Sequence, residues 1–186
     1  MRHAPLALAA ALVVAGCTSS GGGGFFGAPI THSVIVDTVY SPLEIRGAGA
    51  PFPAEVRGAP PGGATEAEAL ESVRMPLFLG GPPLVPADPE ERGPRVVIAF
   101  GGAPLNGFCE RGAGGVDLAP GAALTAAVGI CRDERLVTRG VLEAPGIGGP
   151  DDPAYADTLN DALRAVMPAH NPNIDRDRRD RFVPGF

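Results

Sequence analysis

The sequence has no lysine and no tryptophan, and aromatic residues make up only 5% of it. Every base is therefore an arginine, 15 against 21 acidic side chains, for a formal net charge of −6. An acidic chain without a clustered basic patch argues against nucleic-acid binding. It also lacks the polybasic stretch that would hold anionic lipid headgroups. Without lysine no Ser-x-x-Lys motif can exist, and there is no Gly-x-Ser-x-Gly elbow. No serine follows Ser72, so a serine nucleophile would have to come from the N-terminal part. Nucleotide fingerprints are missing too. Gly47-Ala48-Gly49 lacks the third glycine, and the glycines from Gly112 to Gly115 do not lie between a strand pattern and a helix pattern.

Metal ligands are equally scarce. Beyond residue 16 the histidines are His32 and His170, and neither has a Cys or His partner at ligand spacing. Asn171, Asn173, Asp175 and Asp177 alternate like a calcium loop. An arginine stands where the sharp-turn glycine belongs, however, and no glutamate occupies the twelfth position. No metal, no cofactor and no catalytic set is expected. What the sequence has in quantity is Gly (27) and Pro (21), about a quarter of the chain and close to the low-complexity range. Apolar residues still reach 45%, so a small core amid long irregular segments is expected rather than full disorder.

Met1-Arg2-His3 gives a short positive start, and residues 4–16 are apolar throughout. A run of that length fits a signal h-region and is too short to span a hydrocarbon core of ~30 Å as a helix. Val14-Ala15-Gly16-Cys17 closes it with an aliphatic residue, two small ones and a thiol. This stretch resembles the lipobox of bacterial lipoproteins, over residues 1–20 only. The resemblance implies a signal peptide over 1–16, a diacylglycerol thioether on Cys17, cleavage before it, and N-acylation of the new terminus, for instance with palmitate. Thr18, in place of an aspartate, then leans toward the outer membrane. The alternative is an ordinary secretory leader, since Val13 and Ala15 also satisfy a small-x-small cleavage rule. Without residues 1–16 the chain keeps 14 arginines against 21 acids, a net charge of −7. Any membrane link would then rest on lipid rather than on charge. Residues 17–32 read as anchor and tether, the Ser/Gly-rich part of which spans only ~15 Å. Phe25-Phe26 either docks on the domain or enters the membrane interface.

Residues 33–168 read as one small α+β domain, with an antiparallel sheet and a C-terminal helix on one face. Residues 33–40 are rich in β-branched side chains and predict a strand up to Pro42. Residues 47–63 predict a Gly/Pro/Ala loop. Thr65 and Glu68 form a capping box that opens a short helix over 65–74. Residues 75–79 predict a short strand, and 82–94 a loop. Val96 to Phe100 is apolar at every position, the pattern of a central strand covered on both sides. Asn106-Gly107 predicts a turn. Residues 124–131 alternate and predict a strand that returns over 136–143 through a polar turn at 132–135. Asp152 and Pro153 open a helix whose stripe is Tyr155, Leu159, Leu163 and Val166. Residues 169–186 form a polar tail.

With Cys17 assigned to lipid, Cys109 and Cys131 remain as a pair in an oxidising space, which predicts a structural disulfide. The reading is a lipid-anchored envelope protein facing the periplasm. It would be a non-catalytic binding or scaffolding module whose partners are the membrane and an envelope protein, with no nucleic acid. The alternative is an envelope enzyme working through carboxylates such as Glu110, Asp117 or Asp133.

Overall fold

A computed structural model describes residues 35–36, 40–42, 45, 51–101, 106–112 and 124–171. Its strands are β1 (Ile35–Val36), β2 (Phe52–Arg57), β3 (Leu84–Pro86), β4 (Pro94–Phe100), β5 (Leu124–Arg132) and β6 (Arg135–Ala144). They form one six-stranded sheet in the order β1-β6-β5-β4-β2-β3. Two helices whose bounds lie within the described residues pack on it, α1 (Glu66–Leu70) and α2 (Pro153–Val166). The architecture is the expected α+β, with the C-terminal helix on one face.

The antiparallel part of the sheet follows the sequence pattern closely. β4 runs antiparallel to β5, and β5 to β6, through a tight turn in which Asp133 takes a left-handed φ of 54°. β1 adds to the β6 edge by pairing Ile35 with Arg139 and Val36 with Thr138. The rest of the predicted 33–40 strand lies mostly outside the described residues.

The other half of the sheet is parallel. β2 pairs with β4 on one side and with β3 on the other, both in the same direction. A parallel neighbour requires a crossover, and residues 58–83, including α1, supply the one from β2 to β3. Four expectations need correction here, and the first is the 65–74 helix, which ends at Leu70 and leaves Arg74 in a bridge to Pro83. The 47–63 loop contains β2, the 82–94 loop contains β3, and residues 77–79 form a 3-10 turn rather than a strand. Pro76 opens that turn and Gly80, at φ 97°, closes it, so the chain curls where alternation alone would extend it.

The helix caps are as the residues dictate. Thr65 accepts a hydrogen bond from the Glu68 backbone N–H, and the Glu68 carboxylate accepts from that of Thr65 at 2.7 Å. The Thr65 N–H, together with the Thr65 hydroxyl donating at 2.8 Å, holds the Glu68 carboxyl below its ordinary pKa. Asp152 accepts from the Ala154 N–H at 2.9 Å, with Pro153 in the first helical position.

Both helices cover one face of the sheet. Val96, Ile98 and Phe100 of β4, Leu124, Ala126, Val128 and Ile130 of β5, and Leu142 of β6 join Leu70, Tyr155, Leu159 and Leu163 in the main core. Polar groups entering this core find carbonyls. The Thr138 hydroxyl donates to Val166 O, Tyr155 to Ala69 O and Tyr40 to Pro168 O. Burial pushes the Tyr155 phenol up, and that of Tyr40 up to about 12.

Candidate functional site

The opposite face of the sheet is built differently, and its residues come from the strand positions between those that point at the helices. β2 contributes Glu55 and Arg57, β4 contributes Arg95, Val97 and Ala99, and β5 contributes Ala127, Gly129 and Cys131. Residues 106–112 lie across this face as a strap. They begin with the Asn106-Gly107 turn, and they bury Phe108 and Cys109 against Val97, Ala99, Ala127 and Cys131. Cys109 and Cys131 form the disulfide, with Cα atoms 5.5 Å apart.

The strap is also held by charge. Arg57 and Arg95 are 5% and 2% exposed, and their guanidinium groups share the Glu55 carboxylate, each at 2.8 Å. Their terminal nitrogens donate to main-chain oxygens. Arg57 donates to Phe108 O and to Glu110 O, both at 2.7 Å. Arg95 donates to Cys109 O at 2.7 Å and to Asp133 O at 2.6 Å. Three successive strap carbonyls thus accept from two buried arginines. Burial alone would raise the Glu55 pKa. The hydrogen bonds and charges of Arg57 and Arg95 outweigh it and hold the carboxyl below its ordinary value.

Phe108 seats the strap. The guanidinium carbons of Arg139 and Arg57 stand 5.1 and 6.0 Å from its ring centroid, within cation–π range. Beneath the ring lies Gly129. A Cβ there would come within 2.8 Å of Phe108 Cε1 and 2.4 Å of Thr138 O, so only glycine lets the ring approach the sheet. Outside the face, Arg111 extends the attachment by donating to the carbonyls of Pro89 and Glu91.

Magnitudes show how finely the strap is held. Ordering seven residues costs roughly 7–14 kcal/mol of backbone entropy at ~1–2 kcal/mol each. Three charge-assisted hydrogen bonds at ~1.5–3 kcal/mol each, Phe108 burial at ~1.5–3, its cation–π contacts at ~0.5–1 and the exposed Arg111 bonds at ~0.5–1 offset roughly 7–14 kcal/mol. Non-covalent attachment alone leaves the strap near balance. The disulfide, at ~3 kcal/mol for a loop closed between residues 22 apart, decides it.

A groove among the described residues lies elsewhere, at the end of the helix layer. With a cavity volume of about 590 Å³, it runs between Gly62-Gly63 and Gly148-Gly149. Glu68, Glu71, Asp151 and Asp152 line it, and Tyr155 forms part of its wall. The two glycine walls touch backbone to backbone, since a Cβ on Gly149 would fall 2.7 Å from Pro61 O. Among the described residues, no group of three or more His, Cys, Asp or Glu side chains is placed to hold a metal.

The carboxylates singled out in the sequence are not brought together. Glu110 is exposed on the strap, and its carboxylate lies over Gly107. Asp133 sits in the β5–β6 turn, where its carboxylate accepts from the Gly93 N–H at 3.1 Å. That bond is part of a two-way link, because the Asp133 N–H donates to Gly93 O. Asp117 lies outside the described residues, as do Cys17, His32, Asn173, Asp175 and Asp177. His170 is exposed, and Asn171 is buried, its amide donating to Tyr40 O. The arginine cluster and its strap were not read from the sequence. The signal available was the alternation of Glu55 and Arg57 with Ala54 and Val56, which places both charges on one side of a strand.

Among the described residues no helix is long and apolar enough to cross a membrane. The chain matches no protein-family model, no curated protein and no solved structure.

Proposed function

We propose that the protein is a lipid-anchored component of a bacterial cell envelope, held by acyl chains on Cys17 and facing the periplasm. The α+β domain works there as a non-catalytic binding or scaffolding module. The observation that carries this reading is the stretch Val14-Ala15-Gly16-Cys17 at the end of a positively started apolar run. Chemistry gives Cys17 its role, since a thiol is the nucleophile that takes up the diacylglycerol. Several chains at ~0.8 kcal/mol per buried methylene bind far more durably than one. The Cys109–Cys131 disulfide supports the same reading, because such bonds persist outside the reducing cytosol. Partners in this reading are the membrane, through the lipid, and a second envelope protein.

The test is fractionation of the Cys17→Ser variant beside the wild type. The expected result is wild type in the membrane fraction, and variant unprocessed or released into the soluble fraction. A variant that is processed normally and still sediments with membranes would overturn the anchor.

A further inference from the structure

We infer that the 106–112 strap is a cover closed by oxidation: it docks only once Cys109 and Cys131 have joined, and until then the arginine face beneath it is open. Three observations carry the inference. The strap is held by Arg57, Arg95, the Phe108 seat, Cys131 and the Arg111 bonds to the carbonyls of Pro89 and Glu91, and it supplies no strand of the sheet. Non-covalent attachment only balances the entropy of ordering it, so the covalent bond sets its population. Among the described residues, those it covers mix the apolar Val97, Ala99 and Ala127 with charged groups, and Phe108 and Cys109 of the strap complete that cluster. The charged groups are the guanidinium groups of Arg57 and Arg95 on the Glu55 carboxylate, with that of Arg139 beside Phe108. Cations that lose their carbonyl acceptors turn to water, which offsets part of the cost of exposing that apolar area.

The closing step is a thiol–disulfide exchange with an oxidant that itself bears a disulfide. The thiolate of one cysteine attacks the oxidant's disulfide and forms a mixed disulfide. The second cysteine then displaces the oxidant as a thiolate. Two thiols of the protein are oxidised, one disulfide of the oxidant is reduced to two thiols, and the two protons pass to the reduced oxidant or to water. Once formed, the bond is shielded, with Cys109 3% and Cys131 0% exposed. Attack by a further thiol needs the strap to open, and the bond itself prevents that. The cover therefore sets once, in an oxidising space, and stays set. This inference does not depend on the lipidation of Cys17.

The experiment is arginine labelling with phenylglyoxal, mapped by mass spectrometry, on the oxidised protein and on the Cys109→Ser/Cys131→Ser variant. Far-UV circular dichroism is recorded on both, and exposed Arg164 serves as the internal standard. The expected result is an unchanged spectrum, equal labelling of Arg164, and labelling of Arg57 and Arg95 faster by on the order of 100-fold in the variant. As a second measurement, wild type refolded in the presence of a phosphine reductant labels like the variant. Refolded with oxidised glutathione, it labels like the native protein. Equal protection of Arg57 and Arg95 in all four samples would overturn the inference, since the guanidinium bonds alone would then hold the strap. Loss of the sheet spectrum in both unbridged samples would also overturn it, because the strap would then be part of the fold rather than a cover.

Discussion

On one side of β4, Val96, Ile98 and Phe100 enter a core shared with Leu70, Leu159 and Leu163. On the other side of the same strand, Arg95 donates to a carboxylate and two carbonyls, while Val97 and Ala99 touch a loop pinned by a disulfide. The first face is closed by apolar area carried on regular elements, which needs no partner of particular charge. The second is closed, among the described residues, by an irregular strap of seven with one aromatic among them. A short segment with so little area cannot hold itself by burial, so charge-assisted bonds and a covalent link take over. The difference follows from composition. A chain that is 5% aromatic and rich in Gly and Pro has enough bulk for one well-filled layer, and it closes the other with fewer, stronger and more directional contacts.

Breaking the comparison begins on the helix face, where the expected effect is largest. Leu159 is fully buried, so Leu159→Ala leaves a cavity and should cost about 4 kcal/mol, within the ~2–5 range for such deletions. Chemical denaturation at constant m-value reads it. The loss should be insensitive to salt and pH.

On the strap face, Glu55→Gln leaves Arg57 and Arg95 without their shared anion. It should cost about 3 kcal/mol, the low end for a broken buried ion pair because Glu55 is partly solvated. A loss below 0.5 kcal/mol on that scale would mean that the carbonyls alone satisfy the arginines. Next comes Gly129→Ala, which forces a methyl against Thr138 O and Phe108. It should cost about 2 kcal/mol and raise amide exchange in the strap more than in α2.

Acid titration gives the smallest effect and sharpens the contrast. The folded-state pKa of Glu55 lies below its unfolded value, so its contribution is fully present above pH ~4.3 and is lost as pH falls through the depressed folded value. Glu68 has the same sign but stands in solvent at the start of α1. Stability measured between neutral pH and about pH 3 should fall less steeply in Glu55→Gln than in wild type. Parallel curves would remove Glu55 from the acid response.

Much of the helix face was legible in the sequence, because its signals are local. The unbroken apolar run ending at Phe100, the alternation through β5, the polar turn at 132–135, and the caps at Thr65 and Asp152 each depend on neighbours within one turn or strand. The disulfide was legible from cysteine parity. β2 and β3 were not. Phe52–Arg57 contains Pro53, and its Glu55 and Arg57 alternate with apolar residues as on a solvated strand, yet both lie under the strap. Only tertiary pairing with Arg95 and with the carbonyls of 108–110 makes those charges interior. β3 is three residues long, beside Pro82-Pro83 and ending at Pro86, too short for any period to register. The parallel half of the sheet followed from neither, since direction is set by a crossover and not by local pattern.

Intact mass of the protein recovered from membranes, recorded with and without reductant, bears most directly on the account. The predicted result is a chain beginning at Cys17 and carrying a diacylglyceryl group and an N-acyl chain. Its mass should rise by two hydrogens only when denatured and reduced. A chain with an unmodified Cys17 thiol would contradict the anchor, and two free thiols at Cys109 and Cys131 without reductant would contradict the oxidised, strapped domain.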